Sequence, residues 1–187
     1  LVKLSRRIRR RRGKGQRVFE PGMQAGRIRQ LEKRLRRLGY DPGRADGLYT
    51  QRTADAVRAF LMFIGPWDQG GSWSSQGISG IDRFMSRVWN VVQRTLERRT
   101  SDGNRPAAST SDVQELRRQT HKTIQRVTED IESFRYNTML AALMEFTNYL
   151  TKVQGTEVMG TPAWQEAMES LLLLLAPTAP HLTEELW

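Results

Sequence analysis

The chain has no cysteine among its 187 residues, so neither a disulfide framework nor a thiolate metal site can form. Histidine is almost as scarce. His121 and His181 are the only two, too few for an imidazole cluster, and no metal site is expected. No apolar run approaches the roughly 20 residues of a membrane span. The run Leu171 to Leu175 with Ala176 reads instead as a buried helix seam. Strand signals are nearly missing as well, so the expected fold class is all-α. Arg6 to Arg12 is not followed by the apolar core of a signal peptide, and Leu1 is not an initiator methionine. These absences predict a cytoplasmic fragment with no membrane association.

What is present is unevenly distributed. Residues 1–60 hold 18 Lys/Arg against 5 Asp/Glu, a balance of +13, whereas residues 61–187 hold 12 against 15, a balance of −3. A break of that kind marks two segments of different character, and the basic one should be drawn to polyanions. The expected divisions are a basic disordered arm over 1–17, a small helical module over 18–60, a Trp/Gly linker over 61–76 and a helix bundle over 77–187. In the arm, Arg6-Arg7-Ile8-Arg9-Arg10-Arg11-Arg12 repels itself, so it is either a phosphate-binding tail or a solvated extension.

Helical periodicity carries most of the remaining chain. Ile28, Leu31, Leu35 and Leu38 recur at helical spacing, Gly39 stops the run, and Pro42-Gly43 with Asp46-Gly47 makes a turn-rich connector. A second helix then places Ala54, Val57, Phe60 and Leu61 on one stripe. A long helix over 77–99 keeps Ile78, Ile81, Phe84 or Met85, Val88, Val91 or Val92 and Leu96 on an apolar face. After a polar loop, Ser111 or Asp112 is predicted to cap a helix with Glu115 as capping-box acid. Its stripe runs through Val113, Leu116, Thr120, Ile124, Val127, Ile131 and Phe134. Another helix follows within 137–153. Thr161-Pro162 reads as cap plus first-turn proline for a helix through Leu175, and a short helical piece ends at Trp187.

The stretch Phe60-Leu61-Met62-Phe63-Ile64-Gly65-Pro66-Trp67-Asp68-Gln69-Gly70-Gly71-Ser72-Trp73 is not what a connector requires, since Gly, Pro or Ser alone would serve. It resembles the segment that follows the catalytic domain in bacterial leucyl-tRNA synthetases, where the chain enters the anticodon-binding domain. The resemblance returns at Arg83-Phe84-Met85-Ser86-Arg87-Val88-Trp89-Asn90, Leu116-Arg117-Arg118-Gln119-Thr120-His121-Lys122, Phe134-Arg135-Tyr136-Asn137-Thr138 and His181-Leu182-Thr183-Glu184-Glu185-Leu186-Trp187. It thus spans about 54–187. Residues 26–60 resemble a type 1 peptidoglycan-binding domain, through Leu35-Arg36-Arg37-Leu38-Gly39-Tyr40-Asp41-Pro42-Gly43, Asp46-Gly47-Leu48-Tyr49 and Arg52-Thr53-Ala54-Asp55-Ala56-Val57-Arg58-Ala59-Phe60. The helix from Ala54 to Phe63 fits both, and a fusion is expected.

The synthetase resemblance implies tRNA contact without chemistry. That family activates leucine with ATP through a His-x-Gly-His element and a Lys-Met-Ser-Lys-Ser loop, and neither string occurs here. The chain is therefore expected to be inactive alone, to have no catalytic residue and to use no cofactor. The family's bundle lies against the tRNA body, so Arg83, Arg87, Arg117, Arg118, Lys122 and Arg126 become candidate phosphate contacts, with Arg135 and Asn137 as polar additions. The other reading makes them solvated faces offset by Glu129, Asp130, Glu132 and Glu145. Trp67 and Trp73 are either base-stacking platforms or plugs at a helix–loop junction. Trp89, Trp164 and Trp187 read as core. Tyr40, Asp46 and Tyr49 either line a glycan groove or are a turn with two apolar plugs.

Overall fold

The computed structural model describes Arg29, Lys33, and residues 51–69, 75–99 and 108–187. Six helices fill the described residues, with no strand among them: α1 (Gln51–Phe63), α2 (Ser75–Arg99), α3 (Thr110–Glu132), α4 (Tyr136–Val153), α5 (Pro162–Leu175) and α6 (Pro180–Leu186). A single 3₁₀ turn, Glu157–Gly160, leads into α5. The all-α expectation holds. The basic arm, Tyr40, Asp46, Tyr49, Gly70, Gly71 and Trp73 lie outside the described residues.

The apolar stripes meet in one core. α1 packs on α2, α4 and α6, while α3 packs on α4 and α5. Ala59 and Phe60 of α1, Ile81, Phe84 and Val88 of α2, Leu143 of α4 and Leu171 of α5 all belong to it. The threonines on these stripes do not disturb it. Thr95, Thr120 and Thr147 each donate their hydroxyl to the carbonyl four residues back, so the buried oxygen is satisfied locally. Trp164 is fully buried, and its indole N–H donates to the Thr95 hydroxyl at 3.0 Å, pinning α5 to α2.

Several expected details shift. α3 is capped by Ser109, whose hydroxyl accepts from the Asp112 N–H, rather than by Ser111 or Asp112. Glu115 then turns to Arg118 and Gln119 instead of closing a capping box. On α2 the buried position is Thr95, and Leu96 is exposed because the helix meets Trp164 one residue earlier. On α1 Leu61 faces outward while Asp55 is buried. Trp187, expected in the core, is 71% exposed. Trp89 is half-buried. Thr161 does cap α5, with Pro162 in its first turn.

Candidate nucleic-acid interface

The eight candidate RNA-contacting residues divide sharply once partners are counted. α3 carries its cations in ion pairs. Arg118 holds Glu115 through two bonds of 2.7 Å, and Arg126 reaches across to Glu145 of α4 at 2.7 Å. Arg117 stands 3.7 Å from Glu166 of α5, which also lies 3.3 Å from His121. Of the α3 set only Lys122 is without an ion pair among the described residues. The Arg118 hydrogen bonds, joined by one from Gln119, hold the Glu115 carboxyl down to about 2 from its usual 4.5. The same pairing pushes the Arg118 guanidinium up.

α2 is different. Arg83 and Arg94 are exposed and Arg87 is half-buried, and none has a hydrogen bond or ion pair with a described residue. The Arg87 Nε is buried and unsatisfied. With Asn90, these positions are spaced by four, three and four, so they share one helical face. Asn90 and Arg94 were not singled out from sequence for RNA contact, although that spacing is itself the signal. The face is held in place from behind by Phe84, Val88 and Val91, all buried. Further along, Arg98 is taken up structurally, donating to the Gln154 carbonyl and to Glu157.

A second feature gathers at the α3–α4 corner. The N–H of Arg135 donates to the Asp130 carbonyl at 2.7 Å, and the N–H of Phe134 to the Ile131 carbonyl at 3.1 Å. That pair of bonds is the Schellman ending of a helix, in which glycine ordinarily takes the left-handed position. Here Phe134 takes it, at φ 56°. The register change swings Phe134 out of the expected apolar stripe, leaving it 62% exposed, and Ile131 is exposed too. Asp130 is buried in their place, paired with Arg135 at 2.9 Å. Trp67, in the turn after α1, does not plug the helix–loop junction. It is 67% exposed. Its ring stands edge-on to Tyr136 with centroids 5.6 Å apart, and Phe134 meets the same tyrosine at 6.0 Å. The structure thus brings Trp67 and Arg135 to one corner with the half-buried Asn137 on the first turn of α4. Asp68 and Gln69 continue the exposed turn, where the Gln69 N–H donates to the Pro66 carbonyl at 3.1 Å.

A cavity of about 650 Å³ lies between α1, α2 and α6, lined in part by Asp55, Ser86, Trp89, Asn90 and His181. Its one acid–imidazole pair is structural. Asp55 accepts from His181 Nδ1 and from Arg58, each at 2.8 Å, while its other oxygen accepts the Leu182 backbone N–H at 2.8 Å. Asp55 therefore caps the first turn of α6 from 127 residues away. Sequence reasoning missed this role, because the partner that defines it is nowhere near in the chain. Among the described residues no group of three or more His, Cys, Asp or Glu is placed to hold a metal ion, and no helix is long and apolar enough to cross a membrane.

The last two-fifths of the chain, residues 113–187, match the family described as the anticodon-binding domain of tRNA ligase. The chain is also similar to leucine–tRNA ligases. The chain is 51% identical to that of Herpetosiphon aurantiacus over 142 residues, covering 76% of this chain and 16% of the relative. It is 40% identical to that of Deinococcus radiodurans over 171 residues, covering 91% of this chain and 20% of the relative. The agnB2 LeuRS of Agrobacterium radiobacter K84, solved as a ternary complex with tRNA and LeuAMS, superposes with a TM-score of 0.63 at 26% identity. That match covers 85% of this chain and 25% of the other. The chain thus spans about a quarter or less of the length of these ligases. Residues 24–64 separately match the peptidoglycan binding domain family.

Proposed function

We propose that this chain is a non-catalytic tRNA-binding bundle of leucine–tRNA ligase type that grips the RNA body through phosphate contacts. The observation that carries this reading is the α2 face, where Arg83, Arg87 and Arg94 have no acidic partner among the described residues. Cations held on a rigid helix and left unneutralised are available to phosphates at little reorganisation cost. Lys122 adds to the set; Arg117, Arg118, Arg126 and Arg135 contribute less, since each must first leave a carboxylate. The relatives are ligases for leucine, and one structural neighbour holds tRNA, so a leucine-accepting tRNA is the proposed partner. ATP would belong to a catalytic part that this sequence does not contain, and the proposed location is the cytoplasm. The test is filter binding of a leucine tRNA transcript between 50 and 200 mM salt, roughly the range over which phosphate contacts weaken. Binding that declines with salt supports the reading, and salt-independent or absent binding rejects it.

The match of residues 24–64 favours a second reading, a module that binds peptidoglycan. Against it, α1 lies within that match yet spends Ala56, Ala59 and Phe60 in the core it shares with α2 and α4. Retention on purified peptidoglycan without tRNA binding would reverse the preference.

A further inference from the structure

Exposed aromatic rings are costly to maintain, and the α3–α4 corner keeps two. Trp67 and Phe134 both stand mostly in solvent, on opposite segments of the chain, and both lean on the half-buried ring of Tyr136 at an interplanar angle of 85°. Neither arrangement serves the core. Phe134 moreover occupies the left-handed position of a helix ending where glycine would be unstrained. A side chain that is strained and gains no burial is explained by something outside the chain. The neighbouring charges say what kind of group that is. Arg135 is already paired with Asp130, and the exposed acids Asp68 and Glu132 lie within two residues of the rings. Among the described residues phosphate finds no surplus of positive charge there. A flat, neutral, π-bearing group does find two aromatic faces, with the Arg135 guanidinium and the Asn137 amide nearby in sequence to meet polar edges.

We propose that Trp67 and Phe134 form a stacking platform for one unpaired base of the bound RNA. The proposal rests on the tRNA-binding reading above and adds a base contact to its phosphate-contacting face. Its signature is affinity that does not depend on salt, since stacking releases no counterions.

The test uses the full chain and a leucine tRNA transcript, with affinity measured at several salt concentrations for Trp67→Ala, Phe134→Gly and the double variant. Each single change should weaken binding by about five-fold or more, the loss seen when one stacked base is given up. The slope of log affinity against log salt should stay as it is. Trp67→Phe should restore most of the loss. Phe134→Gly should melt at the same or a higher temperature, because glycine relieves the left-handed backbone; weaker binding by that variant is then not a folding defect. Unchanged affinity in the double variant, while the unaltered chain binds, would overturn the platform and leave the corner to a protein partner. A loss accompanied by a shallower salt slope would overturn it too, since that marks phosphate contact. Failure of the unaltered chain to bind would sink the tRNA reading and the platform with it.

Discussion

Helices α2 and α3 are both long, both rich in arginine, and opposite in how they spend it. On α3, Arg117, Arg118 and Arg126 face Glu166, Glu115 and Glu145. On α2, Arg83, Arg87 and Arg94 have no acid to face among the described residues. A count of charged residues already separates them, since α2 holds five Lys/Arg against two Asp/Glu and α3 four against five. α4 and α5 present Glu145 and Glu166 to α3, and Glu115 comes from α3 itself, whereas no described residue supplies an acid to Arg83, Arg87 or Arg94. Where a polyanion will bind thus follows both the local charge balance and the acids within reach of each cation.

The largest way to break that contrast is to loosen the scaffold beneath α2. Trp164→Ala removes a fully buried indole together with its hydrogen bond to the Thr95 hydroxyl, and should cost about 3–5 kcal/mol in denaturant unfolding. A loss below about 1 kcal/mol would mean that α2 is held otherwise. Next in size, replacing Arg83, Arg87 and Arg94 together by Gln should flatten the salt dependence of tRNA binding by about one unit per arginine, with a melting temperature little changed. Equal flattening from the matching triple change of Arg117, Arg118 and Arg126 would erase the contrast.

The converse experiment sharpens it. Glu145→Gln with Glu166→Gln releases Arg126 and Arg117 from their acids, and should raise tRNA affinity and steepen its salt dependence by less than about two units. The smallest effect is on acid titration. Glu115 is held down to about 2, so the contribution of its pair is complete above pH 4.5 and lost as pH falls from there toward 2. Being exposed, that pair matters little to overall stability. Its mark is the Glu115 carboxyl midpoint followed by NMR, which Arg118→Gln should move back up toward 4.5. A midpoint already at 4.5 in the unaltered chain would mean the pair is not formed in solution.

The helices were legible because three-four apolar spacing is a local property, and so were the Thr161-Pro162 start and the break into α6. What was illegible depended on distant partners or unusual backbone. Asp55 sits among alanines on a helix, where an acid reads as solvent-facing; only His181 and Leu182, more than 120 residues on, explain its burial. The stripe of α3 was followed to Ile131 and Phe134 because nothing marks a helix ending when phenylalanine replaces glycine at the turn. Had glycine stood there, the register change and the burial of Asp130 would have been readable. The pairing of the α3 arginines was only partly visible: Glu145 was named as an offsetting charge, but which cation it met depended on how α4 lies against α3. For Trp67 both readings were open, and its exposure, which sequence does not encode, speaks only against the plug.

The clasp of Asp55 on α6 also sets an order of events. During synthesis α1 leaves the ribosome long before Pro180–Leu186 exists, and until then a carboxylate bound for the interior has nothing to accept from but Arg58 and water. Burying it early would be unfavourable. α1 must therefore dock last or dock provisionally, and its final seating is a closure between the two ends of the bundle, the slowest kind of contact for a chain to find.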